Sequence, residues 1–259
     1  MNGDDGSRAK SAERDRLTED WLLRILVLAD LHDRLEMLER LKGAVDSIRP
    51  HLIVFCGDLH NGSDREEARP AALALAGLGL PVLIVPGNMD RPDTVPDLWR
   101  DAGLKMLHRA CFHFGSVAFL GMGGTVARDP RRLSDPARFY HRDEDVYRGL
   151  SAIYPQAAAA KCKIVVVHQP PRGVQDTLFN GESSGSVSLH RFIEEVQPDL
   201  LLCGHIHEAR GVGRIGATRV VNAGELRRGF GAVVEIDCGS DEGKKVSNNI
   251  SIKWIELDG

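Results

Sequence analysis

The sequence lacks the patterns of a disulfide-stabilised, secreted or membrane-spanning protein. Its five cysteines are far apart and never form a CxxC pair, and Cys56 and Cys203 lie within apolar runs. Free thiols in such runs are typical of a reducing compartment. No apolar run approaches the roughly 20 residues of a membrane span. The first 20 residues are polar and contain no apolar signal segment. We therefore expect a cytoplasmic protein that makes no membrane contact.

The chain also lacks an excess of positive charge. Its 33 Lys and Arg residues against 37 Asp and Glu residues give a net charge of -4. Binding of a large nucleic acid favours a basic face, and this balance does not predict one. A length of 259 residues with 42% hydrophobic residues is enough for one sizeable core. We predict a flexible leader over residues 1–20 and a single domain over residues 21–259.

Alternating apolar runs and amphipathic segments predict an α/β fold. The strands predicted over 22–29, 52–56 and 81–85 end about 30 residues apart, which is the length of one βαβ unit. Right-handed crossovers place the carboxyl ends of such strands side by side, where α/β folds bind ligands. Residues 111–114 and 117–120 predict a β-hairpin. The last three strands are expected to be antiparallel members of a second sheet: 218–222, 231–237 and 251–257.

Side chains able to bind metal follow five of the predicted strands. They are Asp30-Leu31-His32, Gly57-Asp58, Gly87-Asn88, His168 and Gly204-His205-Ile206-His207. Carboxylate, amide and imidazole ligands without a thiolate favour Mn²⁺, Fe or Zn²⁺. Seven ligands are too many for one ion with open positions. They suit two ions that share a carboxylate, an arrangement used for phosphoryl hydrolysis.

Each motif also has a purely structural interpretation. Asp30 and Asp58 could be helix N-caps, because carboxylates are preferred where a helix begins. Asn88 could be a turn residue, and His168 could be an ordinary loop histidine. These interpretations explain each residue separately, but they leave the coincidence at five strand ends unexplained.

The series of motifs over about residues 22–237 resembles the calcineurin-like metallophosphoesterases. The resemblance implies a four-layer α-β-β-α sandwich in which helices flank two mixed sheets. It also implies how the ligands are shared: Asp30, His32 and His207 on one divalent ion, Asn88, His168 and His205 on the other, and Asp58 between them. The segments His168-Gln169-Pro170-Pro171-Arg172-Gly173 and Val221-Asn222-Ala223-Gly224 look like those of small stand-alone prokaryotic members.

The activity implied by this resemblance is hydrolysis of a phosphodiester or phosphomonoester. A hydroxide that bridges the two ions would attack the phosphorus in line, and the substrate would be a small nucleotide-like or other organic phosphate. Mn²⁺ is the expected ion, with Fe, Zn²⁺ or Ni²⁺ as alternatives. The alternative function is a non-catalytic scaffold that binds a protein partner. A scaffold predicts lost ligands, whereas all seven positions are intact here.

The sequence departs from the family where many members have Gly-Asn-His. This chain has Gly87-Asn88-Met89-Asp90, and a thioether cannot donate a proton to a leaving group. The missing histidine favours phosphodiesters slightly over monoesters. We expect His60 to contact the substrate instead, with His141 as a second candidate.

Arginines close to the metal motifs are the predicted phosphate-binding residues. A guanidinium group matches two phosphate oxygens at once. Arg172 follows the His168 motif and Arg91 follows the Asn88 motif. We predict a catalytic role for Arg172 together with His60, and we retain Arg91 as an alternative phosphate-binding residue.

Overall fold

The structure is a computed structural model, and it describes residues 22–237 and 249–257. The α-helices in these ranges are α1 (Leu35–Ile48), α2 (Arg65–Ala76), α3 (Val95–Ala102), α4 (Asp143–Ile153) and α5 (Val187–Val196). The strands of the first half are β1 (Leu22–Leu28), β2 (Leu52–Phe55), β3 (Val82–Ile84), β4 (Lys105–Met106), β5 (Ala110–Phe114), β6 (Val117–Met122) and β7 (Thr125–Val126). Those of the second half are β8 (Tyr140–His141), β9 (Cys162–Val167), β10 (Leu200–Cys203), β11 (Gly211–Ile215), β12 (Thr218–Asn222), β13 (Phe230–Asp237) and β14 (Ile250–Glu256).

Two six-stranded mixed sheets form the framework. The first has the order β14-β13-β1-β2-β3-β4, and the second has the order β11-β12-β10-β9-β6-β5. β1 to β4 are parallel, and the βαβ spacing predicted this arrangement for β1 to β3. In the second sheet β6, β9, β10 and β12 are parallel. β7 and β8 form a separate two-stranded ribbon.

The sheets pack face to face around an apolar core. Alternate residues of the central strands, such as Ile25 of β1, Val54 of β2 and Ile164 of β9, point into this core and are fully buried. The opposite face of the first sheet packs against α1 to α3, whose apolar residues recur every three or four positions. The opposite face of the second sheet packs against α4 and α5. The predicted four-layer α-β-β-α sandwich is confirmed.

The predicted hairpin is confirmed, because β5 and β6 pair antiparallel. The prediction for the last three strands is wrong in its pairing. β12 lies parallel to β10 in the second sheet, whereas β13 and β14 extend the first sheet, with β13 antiparallel to β1. An apolar run predicts that a strand forms, but the strand beside which it lies is decided by long-range packing.

The predicted leader, residues 1–20, lies outside the described residues. No helix among the described residues is both long enough and apolar enough to cross a membrane.

Candidate metal centre

The side chains predicted as metal ligands meet where the carboxyl ends of the two sheets adjoin. Asp30, Asp58 and Asn88 follow β1, β2 and β3 of the first sheet. His168 follows β9, and the Gly204–His207 motif follows β10, in the second sheet. Two groups of three result: Asp30, His32 and His207, and Asp58, His168 and His205. Within each group the potential ligand atoms lie within 4.8 Å of one another.

Asp58 links the two groups. Its Oδ2 atom lies 3.3 Å from Nε2 of His168 and 4.0 Å from Nε2 of His32, so the carboxylate faces both sets of imidazoles. The groups are also joined through the backbone, because the N–H of His205 donates to Oδ2 of Asp30 at 2.9 Å. In the first group, Nε2 of His207 lies 3.2 Å from Oδ1 of Asp30.

Several atoms of the site are buried without a hydrogen-bond partner in the described part of the chain. They include Oδ1 of Asn88 and both ring nitrogens of His32. Buried polar atoms nearly always have a partner, so such atoms call for an explanation. Oxygen and imidazole nitrogen are ligand atoms for Zn²⁺ and Mn²⁺, and the arrangement therefore fits a dinuclear divalent metal centre.

The backbone around the ligands adopts a conformation that L-residues usually avoid. Positive φ angles occur at Asp30 (57°), His32 (50°), Asp58 (55°) and His205 (68°). Such angles cost free energy, and they persist where the surrounding structure enforces them, often at functional sites. Here they turn the side chains off the strand ends towards one another.

Two glycines are required by close approach to the ligands. A Cβ atom on Gly87 would lie 2.1 Å from Oδ1 of Asp58, and one on Gly204 would lie 2.6 Å from Oδ2 of Asp30. Both distances are well inside van der Waals contact. Glycine at these positions therefore allows the loops of the two sheets to converge on the carboxylates.

Burial and neighbouring charge set opposite pKa shifts in the second group. Burial alone lowers the pKa of His168, but the Asp58 carboxylate beside it raises that pKa to about 9. Burial raises the pKa of Asp58, and the charge of His168 outweighs this effect and lowers it to about 2. Burial, together with the charge of His168, lowers the pKa of His205 to about 3. In the metal-free protein His168 is therefore protonated, and a cation that binds there must release this proton.

Partners outside the predicted set orient the histidines. Nδ1 of His168 donates to the Cys56 carbonyl at 2.7 Å, which leaves Nε2 facing Asp58. Nδ1 of His207 lies 3.3 Å from the Glu225 carboxylate, which is 3% exposed and is also paired with Arg227. Carboxylates behind metal-binding histidines fix the ring and raise its basicity. Glu225 was missed by sequence analysis, and the only signal for it was an acidic residue just after the strand β12.

Asp90 is a second missed residue. Its side chain is fully buried, and it accepts hydrogen bonds from the backbone N–H groups of Asp58, His60 and Gly87, each at 2.8–2.9 Å. It therefore joins the Asp58 loop to the Asn88 loop. The signal was available in the sequence, because Asp90 lies two residues after Asn88.

His60 lies beneath the site rather than at its surface. Its ring is 1% exposed. Nδ1 pairs with Asp33 at 3.0 Å, and Nε2 accepts a hydrogen bond from the Trp99 indole at 3.1 Å. A buried ring with both nitrogens occupied does not fit the predicted contact with substrate. His60 instead holds the loop of Asp33, which is the neighbour of the ligand His32.

Arg172, Arg91 and His141 are the other residues that were predicted to contact the substrate. The side chain of Arg172 is exposed on the loop after His168, and its predicted phosphate contact stays a prediction. Arg91 forms two hydrogen bonds with Asp93. The ring of His141 is held by the Gly123 carbonyl at 3.1 Å.

An open cleft of about 520 Å³ borders the site at His205 and Ile206. Its lining also contains Arg128 and Arg132. Clefts of about 300–1,000 Å³ are typical of sites for small organic ligands.

Comparison with known proteins places this geometry among phosphoesterases. The model of the calcineurin-like phosphoesterase family matches residues 23–209. An uncharacterized protein of Methanocaldococcus jannaschii is 28% identical over 210 residues, which cover 77% of this chain and 87% of that protein.

Solved structures share the fold. A Thermus thermophilus protein has a TM-score of 0.69 at 17% identity, covering 92% of this chain and 100% of that chain. A dimetal phosphatase from Danio rerio has a TM-score of 0.58 at 10% identity, covering 91% of this chain and 99% of that one. At these identities the likeness is one of fold.

Proposed function

Because the chain belongs to the calcineurin-like phosphoesterase family, we propose that it hydrolyses a small organic phosphate ester with a dinuclear divalent metal centre. The family supports a metal-dependent phosphoester hydrolase. The observation that carries the proposal is the pair of three-residue groups with Asp58 facing both of them. Two ions that share a carboxylate need such an arrangement.

We assign the ligands of the two ions as the resemblance to the family implies, and the two three-residue groups support this assignment. The first ion is assigned to Asp30, His32 and His207, and the second to Asn88, His168 and His205, with Asp58 shared. Asn88 is included because its buried Oδ1 atom has no partner among the described residues. The predicted metal is Mn²⁺, which accepts both oxygen and imidazole ligands.

The residues of the chain prepare the site for phosphoryl chemistry. Two bound divalent ions supply charge stabilisation for the phosphoryl oxygens and a nucleophile that is active at neutral pH. Glu225 holds His207 in one orientation, and the Cys56 carbonyl does the same for His168. Asp90 holds the Asp58 and Asn88 loops together, so that ligands of both ions keep their spacing.

The residue at position 89, Met89, affects which type of phosphate ester we expect as the substrate. Its backbone N–H donates to Oδ1 of Asp58 at 2.7 Å, which fixes the turn, but its side chain has no proton to give. We favour phosphodiesters with leaving groups that need little protonation, including nucleotide-like esters. A Met89→His variant tests this preference, because it should gain activity on glycerol 2-phosphate, a monoester whose alcohol leaving group needs a proton, relative to bis(p-nitrophenyl) phosphate, whose leaving group needs none. An unchanged ratio would remove the preference for diesters.

The experiment for the main proposal is metal removal and reconstitution. Protein stripped with a chelator should lose hydrolysis of bis(p-nitrophenyl) phosphate and regain it when Mn²⁺ is added. Elemental analysis should show about two ions per chain. If none of a broad panel of phosphate esters is hydrolysed with any divalent metal, the proposed function is wrong.

A further inference from the structure

The cleft beside the metal centre has cationic groups in its lining. Arg128 and Arg132 line it together with His205, and Leu178 and Ser184 also contribute to the lining. The chain as a whole is negative, with a net charge of -4. Two guanidinium groups therefore give the cleft a local charge of a sign opposite to that of the whole protein.

Arg128 is held in place by a short chain of hydrogen bonds that starts beside His168. Gln169 accepts from the Val126 N–H at 2.8 Å and donates to the Ser184 carbonyl at 2.7 Å. The Ser184 hydroxyl in turn accepts a hydrogen bond from Nη2 of Arg128. The position of Arg128 is thereby tied to the residue that follows a proposed metal ligand.

The loop that carries Leu178 and Ser184 is tied to the other side of the centre as well. The backbone N–H of Phe179 donates to the Glu208 carboxylate at 2.9 Å, next to His207. Asp176 is fully buried and accepts a hydrogen bond from the Gly185 N–H at 2.9 Å. These contacts at both ends give the wall of the cleft a defined position relative to the metal centre.

Neither cleft arginine has a carboxylate partner among its hydrogen bonds in the described structure. Arg128 donates to the Ser184 hydroxyl, and Arg132 donates to the Tyr140 hydroxyl at 3.3 Å. The one carboxylate in the lining, Asp129, binds the exposed Arg131 through both oxygens at 2.6–3.1 Å. The charge of Arg128 is thus left for a ligand. Arg132 has Asp129 as an electrostatic neighbour and lies over the Tyr140 ring, but it forms no hydrogen bond to a carboxylate.

We propose that Arg128 and Arg132 bind a second phosphate group of the substrate, separate from the phosphate ester that reacts at the metal centre. This inference rests on the proposed function and names its substrate class as a nucleotide-sized ester with an additional phosphate. Two arginines match the several oxygens of a phosphate dianion, and a cleft of about 520 Å³ accommodates such a molecule.

A matched pair of esters tests the proposal. One is the p-nitrophenyl ester of thymidine 5′-phosphate, and the other is the same ester with a 3′-phosphate. The reacting group and the leaving group are identical, so kcat/KM differs only through the second phosphate. Charge-assisted hydrogen bonds predict a preference of about 10- to 100-fold for the 3′-phosphorylated ester. High salt should reduce this preference because it screens the arginines.

Variants that lack the positive charge show which arginine causes the preference for the 3′-phosphorylated ester. Arg128→Gln and Arg132→Gln should each reduce the preference several-fold, and the double variant should abolish it. Arg148→Gln is the matched control, since Arg148 is exposed on α4 and lies outside the cleft lining. It removes the same charge and should leave the preference unchanged. Equal hydrolysis of both esters by the unaltered protein, or an unchanged preference in the double variant, would overturn the proposal.

A binding measurement separates this proposal from the proposed function. Calorimetry with thymidine 3′,5′-bisphosphate and thymidine 5′-phosphate, on Mn²⁺-loaded protein, needs no turnover. Tighter binding of the bisphosphate that is lost in the double variant supports the arginine site even if no ester is hydrolysed. Equal binding of the two nucleotides refutes the site even if bis(p-nitrophenyl) phosphate is hydrolysed.

Discussion

Replacement of Asp90 tests whether this residue joins the two loops of the first sheet. In Asp90→Ala, three buried backbone N–H groups, those of Asp58, His60 and Gly87, lose their acceptor. An unsatisfied buried group costs about 1–3 kcal/mol, which suggests a total near 6 kcal/mol. Burial raises the pKa of Asp90 to about 6, so the buried carboxylate is itself unfavourable at neutral pH, and its removal offsets part of this cost. The expected net loss of unfolding free energy is about 3 kcal/mol at neutral pH, which is at the upper end of what most single substitutions cost.

The assay is urea unfolding followed by far-UV circular dichroism on metal-free protein. Removing the metal matters because an ion that binds only the folded state adds to the apparent stability. The Mn²⁺ content after reconstitution is the second readout, and it should fall in Asp90→Ala because the Asp58 and Asn88 loops are no longer joined. Asp90→Asn is the milder variant, since its amide oxygen can still accept from two of the three groups.

The matched control is Asp93→Ala. Asp93 is exposed, and its carboxylate pairs with Arg91 at the surface. Exposed ion pairs contribute little, so this variant should stay within about 0.5 kcal/mol of the unaltered protein. A loss of less than about 1 kcal/mol in Asp90→Ala, or equal losses of stability in the two variants, would show that Asp90 does not join the two loops.

Three further predictions concern the metal centre and the fold. Glu225→Gln should weaken metal binding about 10- to 100-fold in a titration, because the His207 ring loses its charged partner; unchanged affinity would exclude this role. Gly204→Ala should lower the bound metal measured by elemental analysis, since the new Cβ would meet Oδ2 of Asp30 at 2.6 Å; full occupancy would show that the loop can move. The Arg24 and Lys253 cations lower the pKa of Glu235 to about 2. The stability from this carboxylate is therefore present above its unfolded pKa near 4.5 and is lost as the pH falls towards 2. Glu235→Gln should be less stable than the unaltered protein at neutral pH, and urea midpoints should converge as the pH falls through that window.

Local sequence patterns predicted much of the fold because they reflect interactions between residues that are close together in the chain. Parallel β1 to β3 follow from apolar runs separated by amphipathic helices, and the hairpin of β5 and β6 follows from short apolar segments around a glycine turn. The pairing of β13 with β1 was not predicted, because it joins segments about 200 residues apart. The composition of neither strand indicates that the other is its neighbour.

In the candidate site, too, some residues could be predicted from the sequence and others could not. Asp30, Asp58 and Asn88 were accessible from sequence, since each follows a strand and parallel strands end at one edge. Glu225 was not, because its contact with His207 depends on loops that approach from distant parts of the chain. His60 shows the converse error. Proximity to Asp58 along the chain predicted a substrate contact, whereas packing against Trp99 turned the ring inward.

By itself, the sequence of this chain determined the types of its ligand atoms and the strand ends that carry them, because side-chain chemistry and strand periodicity are local properties. Only the tertiary structure decided that the His168 and His205 loops of the second sheet meet Asp58 of the first. It also decided that Arg128 and Arg132, rather than Arg172, line the cleft. The physical reason is that two sheets packed face to face bring their carboxyl ends together through a shared apolar core. Contacts across that boundary arise from the packing of the whole domain.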